Sequence, residues 1–369
     1  MIKKNYLRFV RGSFREFKSQ LLYLGTSKNL SKIFNFGFLL AVCLGSQIVR
    51  GLFLAILYIR GRDFRFSELF LIIENTINGR LIRYVHIIGV SFFFICIYIH
   101  IGRGLYYGSF TKKKVWIRGV TILLLLIAIA FIGYVLPNNQ ISFWGASVIT
   151  RLITEVPYLG KDLVELVWGR VRVCKLTLLR FFTLHFILPF VLLILVLLHV
   201  IFLHSESSRN PLGTKPIKNI FRNVQLYSDF IFVMFLLYFI FFIIFASVDL
   251  FGDDENFVKA NLVETPVHIQ PEWYFLFAYA VLRSIPNKLG GVIGLVISIF
   301  ILYFLRFKIF NLYNSFIYKS VSKVLYWIFI ANFFWLSWIG ACRVEYPYVG
   351  ITQFFRVVYF LYFLNYILY

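Results

Sequence analysis

Acidic residues are scarce in this chain, which has 16 Asp and Glu side chains against 38 Lys and Arg. All charged residues together make up only 15% of the 369 positions, while 60% are hydrophobic and the mean hydropathy is +0.81. A soluble protein of this length needs a polar exterior, and this composition does not supply one. The composition excludes an ordinary soluble protein and predicts a membrane protein.

Cysteine is also scarce, and its four positions do not form a motif. Cys43, Cys96, Cys174 and Cys342 are scattered along the chain without a CxxC pair. This spacing argues against an iron–sulfur cluster or a zinc site. No short apolar core with a small-residue cleavage site follows the basic N-terminus, so a cleavable signal peptide is not expected.

Long apolar runs predict eight transmembrane helices. The segment 137–180 between the third and fourth spans is amphipathic and is expected to form short helices at the membrane surface, and residues 8–20 predict another surface helix. The chain is thereby divided into a basic N-terminal segment (1–32), a bundle with surface helices (33–220) and C-terminal helices (221–369). The predicted spans are roughly 33–58, 84–104, 116–136, 181–204, 229–248, 289–306, 324–342 and 347–368.

Positive charge is concentrated on one side of this topology. We call the side of the N-terminus the first side and the opposite one the second side. The first side holds 21 Lys and Arg and only two acids, whereas the loops of the second side hold thirteen of the sixteen acids. The positive-inside rule then places the N-terminus in the cytoplasm or its organellar equivalent. The net charge of +22 is explained in this way, and nucleic acid is not an expected partner.

Two predicted spans each carry two histidines at the same interval. His86 and His100 lie 14 residues apart in the second span, and His185 and His199 repeat that interval in the fourth. Fourteen residues are close to four helical turns and about 21 Å, so both histidines of a span share one face. Since the two spans run in the same direction, His86 is expected level with His185, and His100 with His199. Histidines at membrane depth are functional candidates by default.

Glycine pairs with the same interval occur in the first and third spans. Gly37 and Gly51 lie 14 residues apart, and so do Gly119 and Gly133. A glycine can leave room for the edge of a flat ring. Two facing imidazoles suit the axial positions of haem iron, whereas zinc or copper would need three or four ligands. The pattern predicts an all-α polytopic membrane protein in which the first four spans form a dihaem four-helix bundle that moves electrons along the membrane normal.

Two arginines are candidates for binding the haem propionates. Arg83 precedes His86 by three residues, and Arg103 follows His100 by three. The alternative is that both side chains extend to the membrane interface without contacting a cofactor.

Several stretches, together with the histidine and glycine pairs, resemble the mitochondrial cytochrome b family. They are GRGLYYGS at 102–109, GYVLP at 133–137, SFWGASVIT at 142–150 and PEWYFLFAYAVLRSIPNKLGG at 271–291. The resemblance covers about residues 33–345. It implies the haem-bearing core subunit of ubiquinol–cytochrome c reductase (bc1, complex III), in the mitochondrial inner membrane with the N-terminus in the matrix.

The resemblance also implies two b-type haems and two sites for ubiquinone. His86 and His185 would hold the low-potential haem near the second side, and His100 and His199 the high-potential haem near the first side. Quinol would be oxidised near the second side and quinone reduced near the first. The implied oxidation-site residues are Glu272, Tyr274, Phe143, Gly145 and Tyr279, and the implied reduction-site residues are His204, Ser208 and Asp229.

These roles suit the chemistry of the residues. Glu272 is a carboxylate that can accept a quinol proton, with aromatic neighbours that can sandwich a ring. His204 can donate to a quinone carbonyl and relay a proton. Asp229 could face it across the ring, although a helix N-terminal carboxylate also has an ordinary capping role.

The implied partners are the iron–sulfur (Rieske) subunit, cytochrome c1 and other bc1 subunits, in a dimer of the complex, with quinone and membrane lipid. This chain has no iron–sulfur or c-haem motif, so the second electron of the quinol must leave through a partner. Two alternatives remain. A dihaem anchor of a hydrogenase or formate dehydrogenase does not account for PEWY, and a transporter with a histidine proton relay needs no haem.

Three positions depart from the family pattern. Asn138–Asn139 stand where a tryptophan usually follows LP, Arg50 places a charge inside the first span, and Phe38 replaces a small residue near the predicted high-potential haem. None of these departures removes a predicted ligand.

Overall fold

The computed structural model describes residues 26–27, 30–58, 65–206, 208, 218–219, 222–307 and 320–368. The surface helix predicted at 8–20 lies outside these residues. The described chain is mainly helical, and two short strands, Thr26–Ser27 and Lys218–Asn219, pair in antiparallel orientation.

Twelve α-helices follow one another in the described part of the chain. They are α1 (Phe36–Leu57), α2 (Arg65–Asn75), α3 (Gly79–Tyr106), α4 (Lys113–Val135), α5 (Gln140–Arg151), α6 (Gly160–Trp168), α7 (Lys175–Glu206), α8 (Arg222–Ala246), α9 (Leu276–Arg283), α10 (Lys288–Phe304), α11 (Ser320–Ala341) and α12 (Tyr348–Leu368).

Seven described helices are long and apolar enough to cross a membrane, namely α1, α3, α4, α7, α8, α10 and α11. The eighth predicted span corresponds to α12, which has 21 residues and carries polar side chains at Gln353, Arg356 and Asn365. Each predicted span therefore coincides with a helix, and the predicted all-α polytopic fold is confirmed.

The helices that contain the first four spans pack in two neighbouring pairs. α1 packs along α3, α4 packs along α7, and α1 also contacts α7. Leu44, Ile88, Phe94 and Leu126 are buried in the core that these helices share. Pro189 lies inside α7, between His185 and His199, and has no N–H to donate to the carbonyl of His185 four residues earlier.

The segment between α4 and α5 contains the two asparagines that depart from the family pattern. Asn138 has a φ of 56°, a left-handed conformation that asparagine tolerates better than most residues. Asn139 is the N-cap of α5, where its Oδ1 accepts a hydrogen bond from the backbone N–H of Ser142 at 2.8 Å. The Asn139 Nδ2 donates to Oδ1 of Asn256 at 3.1 Å. These asparagines form the turn and the cap that join α4 to α5.

Candidate functional site

α3 and α7 bring the four predicted histidines together in two pairs. The ring centroids of His86 and His185 are 6.4 Å apart, and those of His100 and His199 are 6.5 Å apart. Two imidazoles on opposite sides of one metal ion, with metal–nitrogen bonds of about 2 Å, have centroids roughly 6 Å apart. Both separations therefore match axial ligation of one iron by each pair, as the 14-residue interval predicts.

Each of the four glycines lies beside one of these histidines. A side chain at any of the four positions would occupy space next to an imidazole ring, because α1 lies against the histidines of α3 and α4 lies against those of α7. The separations from an added Cβ to the imidazole Cε1 are 3.5 Å for Gly37 and His100, 3.4 Å for Gly51 and His86, and 3.3 Å for Gly119 and His199, and the Gly133 Cβ would overlap the His185 ring.

When Gly133 is replaced by Ala, the occupancy of the haem at the His86–His185 pair is expected to fall to about half or less. The added Cβ would lie 2.8 Å from Nδ1 and 2.9 Å from Nε2 of His185, closer than real Cβ contacts, so the ring must move. The measurement is the haem content of the purified protein. Gly45→Ala is the matched control, because nothing lies within 4 Å of a Cβ at that position of α1. Equal haem content in both variants would contradict this prediction.

Hydrogen bonds from neighbouring backbone and side chains support the second-side pair. The His185 Nδ1 lies 3.0 Å from the carbonyl oxygen of Ile129, which leaves Nε2 available as the ligand nitrogen. The Gln47 Nε2 of α1 donates to the carbonyl of His86 at 3.1 Å. The His86 Nδ1 is buried and has no hydrogen bond among the described residues. α1, α3, α4 and α7 all contribute to the position of this pair.

A cavity of about 290 Å³ adjoins the His86–His185 pair. Gly51 and Gly133 lie in its wall, and so does Arg83, while most of the other lining side chains are apolar. Two axial nitrogens, space beside two glycines, apolar walls and one cation fit an iron porphyrin with acidic side groups.

Arg103 is the corresponding cation at the first-side pair. Its Nη2 lies 3.3 Å from Nδ1 of His100, and its Cζ lies 4.7 Å from the ring centroid of Phe34. The Arg103 Nε is buried without a hydrogen-bond partner among the described residues. A buried guanidinium with an unused donor suits an anionic group such as a propionate. Arg50 is half-buried in α1, and nothing in the structure explains its charge there.

A second cavity, of about 30 Å³, lies between α5 and the PEWY segment. Gly145 of α5 faces Pro271, Glu272 and Tyr279 across it. No atom lies within 4 Å of a Cβ added at Gly145, so the glycine keeps this space open. Tyr279 donates its hydroxyl hydrogen to the carbonyl of Ile269 at 3.2 Å. Three of the predicted oxidation-site residues therefore line one cavity.

Glu272 lies in the walls of both cavities, outside the membrane-spanning helices. Burial raises the pKa of this carboxyl group to about 7, the neighbouring Tyr134 hydroxyl opposes the shift, and the charge of Asp253 adds to it. A carboxyl group with this pKa can both accept and release a proton near neutral pH. Glu272 can therefore take up or release a proton beside the smaller cavity.

Two residues around Glu272 have no role predicted from the sequence. Tyr134 lines both cavities and contacts Glu272, and its hydroxyl donates to Oδ1 of Asn256 at 3.0 Å. Tyr134 is part of the GYVLP stretch, but a tyrosine at the end of an apolar span is also typical of the membrane interface. No motif or spacing in the sequence indicates that Asn256 lies near Glu272.

The other two predicted oxidation-site residues lie outside the smaller cavity. Tyr274 is only 4% exposed, lies in the wall of the larger cavity and stacks on Phe94 with ring centroids 3.9 Å apart. Phe143 is buried in the core around α5 and α6, together with Val164 and Trp168, and is in neither cavity wall.

The predicted reduction-site residues are half-buried near helix ends on the first side. His204 lies in the last turn of α7, Ser208 follows that helix, and Asp229 lies in α8. Asn35, just before α1, donates to the Ser228 hydroxyl at 2.6 Å, which ties the start of α1 to the residue preceding Asp229. None of the three predicted residues lies in the walls of the two cavities described above.

This arrangement defines a multi-pass helical membrane protein with two imidazole pairs at different depths and an adjoining cavity that has the Glu272 carboxylate in its wall. Two family models match the chain, Cytochrome b/b6/petB over residues 21–207 and Cytochrome b(C-terminal)/b6/petD over residues 259–360. The chain belongs to the cytochrome b/b6 family and is a cytochrome b of the bc1 type. A solved chain of a "Hyperthermophilic respiratory Complex III" is similar, with 29% sequence identity, a TM-score of 0.89 and coverage of 96% of this chain and 95% of that chain.

Proposed function

We propose that this chain oxidises quinol near the second side of the membrane and delivers electrons to a quinone site near the first side. The observation that carries this proposal is the wall shared by the two cavities. Glu272 and Tyr134 separate the small cavity from the cavity of the His86–His185 pair. A quinol ring bound beside Glu272 would therefore lie next to the first electron acceptor.

The four histidines would hold two b-type haems, which act as one-electron acceptors when bound. His86 and His185 would ligate the low-potential haem, and His100 and His199 the high-potential haem. The paired centroid separations of 6.4 and 6.5 Å support these assignments. The four glycines leave space beside the four imidazole rings, where a side chain would crowd them.

Arg83 and Arg103 would bind the haem propionates. Arg83 lies in the wall of the cavity next to His86. Arg103 offers a buried nitrogen without a partner among the described residues beside His100. Charge-assisted hydrogen bonds of this kind orient an anionic group and stabilise it away from water.

Glu272 would accept a proton from quinol at the oxidation site. Gly145 and Tyr279 lie across the same cavity and would border the quinol ring. Tyr274, which stacks on Phe94, would help to hold the PEWY segment in place. Phe143 would help to hold α5 in place, since it is buried in the core between α5 and α6. A quinol can lose its electrons only if its protons leave, so the carboxylate is needed where the ring binds.

Quinone reduction would take place near His204, Ser208 and Asp229. Residues next to Asp229 contact the start of α1, since Phe230 packs against Phe38 with ring centroids 6.4 Å apart. Phe38 follows Gly37, which lies beside His100. The proposed reduction site is therefore at the level of the first-side imidazole pair.

The proposed partners are the Rieske iron–sulfur subunit, cytochrome c1 and the other subunits of a dimeric bc1 complex. The proposed location is the mitochondrial inner membrane, with the N-terminus in the matrix and the chain divided at about residues 32 and 220. The basic first side and the acid-rich second side support this orientation. Quinol from the surrounding lipid would be the substrate of the oxidation site, and quinone would be the substrate of the reduction site.

A redox titration of the purified complex, followed by its reduced-minus-oxidised absorption spectrum, tests this proposal. We expect two b-type components that titrate at different potentials, and quinol–cytochrome c reductase activity in the same preparation. A colourless protein would favour the transporter alternative, and two haems without this activity would favour a dihaem anchor. Either result would overturn the proposed function.

A further inference from the structure

One face of α3 contacts the PEWY segment, residues 271–274. The contacts come from Ser91, Phe94 and Tyr98, which follow one another along that face. The Trp273 indole Nε1 donates to the Ser91 hydroxyl at 3.1 Å. The Tyr98 hydroxyl donates to the carbonyl of Tyr274 in a short hydrogen bond. Between these two contacts, the Phe94 ring stacks on the Tyr274 ring with parallel planes. Positions separated by three and four residues lie on the same side of a helix, so this contact forms one continuous strip.

The strip is mostly removed from solvent. Phe94 is 0%, Ser91 3% and Tyr274 4% exposed. A buried hydrogen bond is difficult to replace, because a donor or acceptor that loses its partner there cannot turn to water. The three contacts therefore fix the Trp273 side chain and the Tyr274 backbone with respect to α3.

These contacts also restrict the residue before Trp273. The backbone N–H of Phe275 donates to the carbonyl of Glu272 at 2.9 Å, which closes a turn over residues 272–275. Each residue has only two soft backbone dihedral angles. With the turn closed and two of its residues attached to α3, the direction in which the Glu272 side chain leaves the backbone is largely determined.

α3 carries the predicted haem ligands on a different face. At 3.6 residues per turn, the mean direction of positions 91, 94 and 98 lies about 130° around the helix from that of positions 86 and 100. One helix thus holds His86 and His100 towards α7 and holds the PEWY segment on another side. α3 therefore links the position of residues 272–274 to that of the His86–His185 pair.

We propose that Ser91, Phe94 and Tyr98 are positioning residues for quinol oxidation, which hold residues 272–274 on α3 so that the Glu272 carboxyl group stays in the wall shared by the two cavities. This inference rests on the proposed function, because it assigns the strip to the same oxidation site. The residues act through Glu272 and do not touch the quinol themselves.

Tyr98→Phe in the complete complex tests the proposal, because it removes one hydroxyl group and keeps the ring contacts with Phe277 and Phe333. We expect kcat for quinol oxidation to fall about fivefold, as for the loss of one buried hydrogen bond, with KM within twofold of wild type. The midpoint of the pH–rate profile should move to lower pH, because a less constrained Glu272 is better hydrated. Haem content and both redox potentials should not change.

Tyr303→Phe is the matched control. It removes a hydroxyl group that lies 2.8 Å from the Thr121 hydroxyl, between α10 and α4, away from the PEWY segment. We expect wild-type kcat and pH profile in this variant. A wild-type kcat and pH profile in Tyr98→Phe, or an equal loss in both variants, would overturn the proposal.

If the complex with Tyr98→Phe does not assemble, Ser91→Ala tests the positioning role. It removes the acceptor of the Trp273 hydrogen bond and should lower kcat and shift the pH midpoint in the same direction. An unchanged pH profile and kcat in Ser91→Ala would then refute the positioning role. Failure of the proposed function is a separate result, because it would appear as missing haem or missing quinol oxidation in the wild-type complex.

Discussion

His199→Ala is expected to abolish binding of the haem near the first side while the protein still inserts into the membrane. The imidazole of His199 faces that of His100 with a centroid separation of 6.5 Å, and alanine would leave a haem at this pair with the His100 imidazole as its one remaining ligand from the pair. The haem at the His86–His185 pair should remain, because it lies about 21 Å away along the helices. Total haem per chain should therefore fall by about half, with loss of the higher-potential component in a redox titration.

His204→Ala is the matched control for this prediction. His204 lies five residues further along α7, near the end of the helix, and is not a predicted ligand. This variant should keep both haems and lose activity only in quinone reduction. Wild-type haem content in His199→Ala, or equal haem loss in both variants, would refute the assignment of the first-side pair.

The placement of the histidines could be predicted from the sequence because it depends only on helix geometry. A 14-residue interval returns to the same face of any α-helix, so two spans with that interval must present their histidines at matching depths. The same argument applies to Gly37 and Gly51 in α1, whose neighbours in the structure are His100 and His86. Features that follow from local periodicity were therefore predictable in position and in partner.

Contacts between distant parts of the chain could not be predicted in this way. The hydrogen bond between Tyr134 and Asn256 joins residues 122 positions apart, and neither lies in a periodic pattern that indicates the other. The contacts of Ser91 and Tyr98 with the PEWY segment also join residues that are far apart in the sequence. Each of these side chains is ordinary for its own helix or loop, and its role arises only when the helices pack.

The resemblance to the cytochrome b family implied a set of oxidation-site residues but not their individual surroundings. Gly145, Glu272 and Tyr279 line one cavity, whereas Phe143 is buried in a neighbouring core. The departure at Asn138–Asn139 also has a local explanation, because Asn139 caps α5 and contacts Asn256 near Glu272. The asparagine pair therefore changes how α5 begins while the cavity wall formed by Gly145 remains.

Glu272→Gln is expected to lower kcat for quinol oxidation by about 10²-fold, which is at the lower end of the contribution of a general base. Glutamine has nearly the same shape as glutamate, so KM should stay within about twofold of wild type, because quinol binding depends mainly on the apolar cavity. The amide cannot accept a proton from the quinol hydroxyl group. Steady-state kinetics with a soluble quinol analogue measure both constants.

The pH dependence gives a second and more specific result. Burial raises the pKa of Glu272 to about 7, so the carboxyl group is protonated below that pH and cannot act as an acceptor. Quinol oxidation by the wild-type protein should therefore rise with pH through about 7, and Glu272→Gln should lack this rise. Glu264→Gln is the control, since its carboxylate bonds to Asn261 at an exposed position outside both cavity walls. If Glu272→Gln kept the wild-type turnover and pH profile, another group would have to accept the proton, and the shared cavity wall would no longer explain where quinol is oxidised.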